Sequence, residues 1–258
     1  MKALALLFLL ACSAPKKPAC GVATTAPTPT GVRELHFPAG DGVMITGDLY
    51  MPHPATAPMI VLFHQAGYSR GEYRTIAPKL NDLGFNTLAI DARSGEATEG
   101  VGNETAASAC KLGKPTNYVD AIADLKAAVA QARTLATGKL LIWGSSYSSA
   151  LVLVLGAELK ADAILSFSPG EYFADQGKPK TWVADSAKPL AVPVFITSAK
   201  DEAKEWAPIA AAIDPAKLTT FVPETAGHHG SSTLWPTQPD RESTWAAVTA
   251  FLKPFTNS

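Results

Sequence analysis

The stretch Trp143-Gly144-Ser145-Ser146-Tyr147-Ser148 sets a group of hydroxyls between an apolar, strand-forming run and a nearly all-apolar helical run. A serine at such a junction can be a nucleophile if it sits on a sharp strand-to-helix elbow of the pattern G-x-S-x-G. The residues two before and two after it must be small, because the strand and helix backbones nearly touch. Ser146 meets that condition with Gly144 and Ser148. Ser145 does not, having Trp143 in front of it, and Ser148 lies a step too far into the helix. A serine hydroxyl also needs a base to take its proton and a carboxylate to orient that base. Of the five histidines only His228 and His229, in TAGHHGSS, lie downstream of Ser146. Asp201, in SAKDEAKEW, is the expected carboxylate, with Glu202 beside it as the alternative. Neighbours in an extended loop face opposite ways, so only one of the two histidines can face inward. The competing structural reading is a Gly-Ser turn that merely caps a buried helix.

Elements that could hold these residues together follow from the hydrophobic pattern. RELHF and VMITGDLY read as paired strands around the turn Gly40-Asp41-Gly42. MIVLF, FNTLAI, KLLIW, ADAILSFS and VPVFIT are short continuous apolar runs, which suits strands buried on both faces, and KLTTFVP is a last strand. Between them GEYRTIAPKLNDLG, TNYVDAIADLKAAVAQARTL, YSSALVLVLGAEL, EWAPIAAAI and DRESTWAAVTAFLKPF read as helices, the second opening on Thr116 or Asn117 as cap. The stretch from Ala92 to Pro115 reads as a long irregular loop. Alternating strands and helices demand a mostly parallel, eight-stranded sheet with helices on both faces, an α/β class. Ligand sites in such sheets lie beyond the carboxyl ends of the strands, where His64-Gln65-Ala66-Gly67, Ser146 and Asp201 all fall.

Composition narrows the function classes. At 47% hydrophobic and 17% charged residues the chain can bury a sizeable core, and a net charge of -1 offers no basic surface for a nucleic-acid partner. No Cys, His or Asp cluster has metal-ligand spacing and there is no glycine-rich phosphate loop, so no metal or cofactor is expected. The apolar run Ala3 to Ala11 is too short to span a bilayer and fits a secretory signal over residues 1–11. Leu9-Leu10-Ala11-Cys12 resembles the bacterial lipobox, which implies lipidation of Cys12 and attachment to the cell envelope facing the periplasm. Residues 12–31, rich in Pro, Ala and Thr, read as a flexible linker, leaving 32–258 as the domain. An exported compartment would permit a disulfide between Cys20 and Cys110.

Residues 33–255 resemble the α/β-hydrolases, nearest to the small, lid-poor dienelactone-hydrolase-like and esterase branch. That resemblance implies a nucleophile at Ser146, an acid at Asp201 and a base in the HHG loop. It implies an oxyanion hole of backbone N–H groups from Tyr147 and the HQAG loop, where Ala66 donates, with Gln65 as the alternative. In that family the catalytic histidine is often followed by a small residue, which favours His229 over His228. Asp91 to Gly95, DARSG, resembles a structural turn of the family, and His64 is expected to shape the oxyanion loop. His36 and His53 are expected to have no role. Dienelactone hydrolases proper carry cysteine at the elbow, and the second elbow glycine is here Ser148. The expected function is a serine hydrolase of a small ester or acyl substrate through an acyl-enzyme. The alternatives are a non-catalytic binding protein of the same fold and a small peptidase.

Overall fold

The computed structural model describes residues 20–21 and 25–256; Cys12 and the signal segment lie outside the described residues. Eight strands form one sheet in the order β1-β2-β4-β3-β5-β6-β7-β8: β1 (Arg33–Pro38), β2 (Met44–Tyr50), β3 (Met59–Phe63), β4 (Asn86–Ile90), β5 (Leu140–Ser145), β6 (Ala163–Phe167), β7 (Val194–Thr197) and β8 (Leu218–Phe221). β2 runs antiparallel to both its neighbours, and the pairs from β4 to β8 are parallel. Every residue of β3, β4, β5, β6 and β7 is buried, as their unbroken apolar runs require of strands covered on both faces. Met59, Val61 and Phe63 of β3 enter one core while Ile60 and Leu62 enter the other, the period-two alternation of a strand between two layers.

The helices are α1 (Ala77–Asp82), α2 (Glu104–Lys111), α3 (Ile122–Leu135), α4 (Tyr147–Leu159), α5 (Trp182–Ala187), α6 (Ala203–Ala212) and α7 (Arg241–Leu252). α1 and α7 cover one face of the sheet, and α3 to α6 pack into the core on the other. α4 follows the elbow and is buried almost from end to end, in keeping with its apolar sequence. Where a lid would be inserted, between β6 and β7, the chain forms a 3-10 turn at Ala174–Gln176 and the short α5, which packs against α4 and α6.

Three expectations are corrected. The helix expected over 71–84 is a 3-10 turn at Arg70–Tyr73 followed by α1, which begins where Pro78, lacking an N–H, can occupy the first turn. The segment expected as a loop contains α2, whose first turn is capped by Asn103 accepting the Ala106 N–H at 2.8 Å. The end of the expected linker lies against the domain: Ala26 N–H donates to Gly100 O at 2.7 Å, and a disulfide joins Cys20 to Cys110.

Two buried arginines fasten the loops under the site. Arg70, with no exposed side-chain surface, donates to Asp48 at 3.0 Å and Asp91 at 2.6 Å, both also fully buried, and to Glu34 and Glu104. Burial pushes the Asp91 carboxyl up to about 6 against the pull of Arg70. Arg93 clamps Asp124 and Asp41 at 2.6 Å each, which gives the DARSG turn its structural role. Removing Arg70 would strand two carboxylates in the interior. Arg70→Leu is expected to cost about 3–5 kcal/mol in denaturant unfolding. A variant as stable as the parent would show that Asp48 and Asp91 do not depend on the guanidinium.

Candidate active site

Ser146 stands between β5 and α4 at φ 58°, ψ -123°, a backbone region that L-residues rarely adopt and that turns its side chain out of the sheet. Gly144 cannot carry a side chain, because a Cβ there would strike the Ser148 backbone. Ser148 takes the place of the second elbow glycine and uses its hydroxyl there. It accepts the Ser145 N–H at 2.9 Å and donates to Phe63 O at 2.7 Å, pinning the elbow to the end of β3. On the other side, Ser146 N–H donates to Phe167 O, the last carbonyl of β6, at 2.8 Å.

His229 and Glu202 are adjacent. His229 Nδ1 meets Glu202 Oε1 at 2.6 Å, with both side chains partly exposed to the cleft. Ser168 Oγ donates to the other carboxylate oxygen at 2.7 Å and accepts the Gly230 N–H at 2.9 Å, so one hydroxyl holds both acid and base loop. Burial pushes the Glu202 carboxyl up, but the bonds from His229 and Ser168 outweigh it and hold the group below its ordinary value. The Glu202 bond raises the imidazole of His229, opposed by burial. With Nδ1–H committed to the carboxylate, Nε2 is left to accept a proton. Asp201, the expected acid, is exposed on the same 3-10 turn, Lys200–Glu202, which carries Glu202 to the histidine instead. His228 is exposed and turned from this pair, as alternation requires.

The residue after His229 explains the approach of the two loops. Gly230, at φ 67°, lies so close to Gln65 Oε1 and Ser145 Oγ that a Cβ would collide with both. Ser231 N–H donates to Ser145 Oγ at 2.8 Å, one residue from Ser146, and Trp143 Nε1 donates to Ser231 Oγ at 2.8 Å. Tyr172 lies beside Ser146 and donates its hydroxyl to Ser168 O at 2.8 Å.

Two backbone N–H groups, one at the elbow and one in the HQAG loop, are candidates for the expected oxyanion hole. Tyr147 opens α4 and so has no helical acceptor for its N–H. Of the loop residues, Gln65 donates its N–H to Glu72 Oε2 at 2.8 Å and so has none to spare for a ligand. Ala66 N–H has no protein acceptor among the described residues. His64, fully buried, donates Nδ1–H to Gln65 O at 2.7 Å and accepts the Ala92 N–H on Nε2 at 2.8 Å. Burial holds it down to about 4, so it is a neutral brace of the loop.

Glu72, Ser145, Ser168 and Tyr172 belong to the site without a motif to announce them. Glu72 is fully buried, accepts from Gln65 N–H and, at 2.8 Å, from Ser145 Oγ, and is pushed by burial up to about 7. Away from the site, the fold brings together Glu34, His36 and Glu104, a grouping that sequence spacing hides. Arg70 already bonds both of these carboxylates, so they carry a resident cationic partner.

No family model matches the sequence, and no curated protein matches it in sequence. Solved structures do match. An esterase of Pyrococcus furiosus is 19% identical with a TM-score of 0.66, over 88% of this chain and 93% of its own. A dienelactone hydrolase of Anabaena variabilis is 16% identical with a TM-score of 0.64, over 88% of this chain and 100% of its own. An α/β serine hydrolase without lid from Xanthomonas campestris is 15% identical with a TM-score of 0.60, over 89% of this chain and 97% of its own. The strand order, the helices on both faces and these likenesses together establish that the chain has the α/β-hydrolase fold.

Proposed function

We propose that the protein is a serine hydrolase that cleaves an ester or related acyl bond of a small molecule. The observation that carries this reading is the His229–Glu202 pair set against an elbow whose serine is held at positive φ. In the reaction, Ser146 Oγ attacks the acyl carbon while His229 Nε2 takes its proton. Negative charge collects on the carbonyl oxygen, which Ala66 N–H and Tyr147 N–H stabilise. His229 then returns the proton to the departing alcohol, leaving an acyl-Ser146 ester. Water, deprotonated by the same histidine, hydrolyses that ester. Glu202 fixes the imidazole tautomer and offsets the charge it gains. The non-catalytic alternative is disfavoured, because a binding scaffold has no need of a strained serine, a paired histidine and unpaired N–H donors at one point. The disulfide is in keeping with an oxidising compartment, and with the Leu9 to Cys12 stretch it supports an exported, lipid-anchored protein at the cell envelope.

Ser146→Ala is expected to stay folded, lose labelling by a fluorophosphonate and lose about 10³-fold or more in kcat. Parental turnover in that variant would refute the assignment of the nucleophile.

Glu202→Gln should cost about 10³-fold or more in kcat, whereas Asp201→Ala should remain within about twofold of the parent. Because Glu202 raises His229 and the base works only when neutral, the acid limb of kcat/KM lies above the ordinary histidine value and falls to lower pH in Glu202→Gln. The opposite pattern of losses would return the acid role to Asp201.

Glu72→Ala leaves the Gln65 N–H and the Ser145 hydroxyl without their buried acceptor. It should destabilise the fold by about 1–3 kcal/mol and lower kcat more than it raises KM. A loss confined to KM would place Glu72 in substrate binding rather than in holding the oxyanion loop.

A further inference from the structure

A cleft of about 570 Å³ opens beside the oxyanion loop, and nothing in the triad accounts for it. Ala66 and Gly67 form its inner wall, so it shares with the candidate active site the very residue whose N–H faces the reacting carbonyl. Ala106, Ala107 and Cys110 of α2 face it from the other side, at the helical spacing that puts them on one stripe. Its outer wall is Cys20 and Gly21, held to α2 by the disulfide. Where this segment resumes, Ala26 donates to Gly100 O at 2.7 Å and accepts from Arg74 Nη2 at 3.1 Å, which fastens it across the same loop.

The chemistry of acyl transfer assigns a direction to this space. The carbonyl oxygen must lie between Ala66 N–H and Tyr147 N–H, and the leaving group must lie toward His229, which protonates it. The acyl chain therefore extends away from the His229 loop. No residue of that loop lines the cleft, and Ala66 does.

Three polar side chains of the cleft wall are already occupied. Arg93 is clamped by Asp41 and Asp124. Ser94 Oγ is in bonding range of the Thr116 and Asn117 carbonyls at 2.9 and 2.8 Å. Asn103 Nδ2 donates to Tyr68 O and Ala92 O at 3.1 and 2.9 Å. Glu96, exposed at the rim, repels a carboxylate. Inside an edge that carries the exposed Thr116 and Glu96, what the walls leave for a ligand is the small apolar surface of the alanines, the Tyr118 ring and the disulfide.

We propose that this cleft is the acyl pocket, that it takes an uncharged aliphatic acyl group longer than acetyl, and that the Cys20–Cys110 bridge builds its outer wall. The proposal rests on the serine-hydrolase reading and goes beyond it in naming the substrate class and a structural role for the segment before the domain.

The test uses p-nitrophenyl acetate and hexanoate with the full-length protein, reading the hexanoate-to-acetate ratio of kcat/KM. The parent should favour hexanoate. Ala106→Trp, which projects a large ring into the cleft from a partly exposed helical position, should lower that ratio about tenfold or more. Ala97→Trp, from the exposed rim, should lower it in the same direction and covers the case in which the helical variant misfolds. The double variant Cys20→Ser/Cys110→Ser, which cannot bridge, should lower it as well, because the chain loses its outer wall to water. Fluorophosphonate labelling of Ser146 confirms in each variant that the catalytic centre is intact. A parent that prefers acetate, or a ratio unchanged in both tryptophan variants that label normally, overturns the pocket. An unchanged ratio in the serine double variant alone overturns the role of the bridge. A parent that neither labels nor hydrolyses either ester overturns the hydrolase reading itself, a result distinct from all of these.

Discussion

The carboxylate of Glu72 lies beneath the point where the HQAG loop, the elbow and the histidine loop meet, and no lysine or arginine pairs with it among the described residues. One oxygen accepts the Gln65 N–H and the other the Ser145 hydroxyl, whose oxygen in turn accepts the Ser231 N–H. Three loops far apart in sequence are therefore registered through two oxygens and one serine. An acceptor-only group suits the task, since both of its neighbours arrive as donors and an unmet donor here would carry the full cost of burial. The peptide of Gln65 is held so that the next N–H, that of Ala66, is the free one. Which N–H of the HQAG loop is left free is decided by this bond as much as by the loop's own sequence.

The same carboxylate couples to the base. Glu72, raised by burial to about 7, and His229, raised by its bond to Glu202, favour each other's charged form. Protonation of Glu72 turns one of its oxygens into a donor facing a donor, so the support of these loops weakens as pH falls through the range where Glu72 takes up its proton.

Most of the framework was legible because its causes are local. Continuous apolar runs such as MIVLF and LLIW can only be strands covered on both faces, and an all-apolar stretch after a Gly-Ser elbow can only be a buried helix. α2 was not legible, because ETAASACK has no large apolar residue and turns only small ones, Thr105, Ala107 and Ala109, to the interior. The carboxylate that meets His229 was legible only as a pair: Asp201 and Glu202 are adjacent, and the rotation of one 3-10 turn decides which of them reaches the imidazole. The small residue after His229 has a physical reason that lies in contact and not in sequence. A side chain at Gly230 would collide with Gln65 and Ser145. Glu72 and Ser168 had no pattern to reveal them, since Glu72 reaches Ser145 and Ser168 reaches Glu202 across long stretches of intervening chain.

Close structural likeness with 15–19% identity follows from where the constraints fall. The sheet and its helices require apolar residues of suitable volume at alternating positions, and many combinations of Val, Ile, Leu and Ala meet that need. Tight constraint is confined to a few contacts, such as the missing side chain at Gly144 under the Ser148 backbone and that at Gly230 against Ser145. Even there a departure is admitted when it supplies its own compensation. Ser148 occupies a position where the elbow pattern has glycine, and its hydroxyl answers the Ser145 N–H and the Phe63 carbonyl, two groups that an elbow glycine would leave to other partners. The elbow's geometry is thereby kept by a different set of atoms, which is why the pattern reads as broken in the sequence while the turn itself is intact.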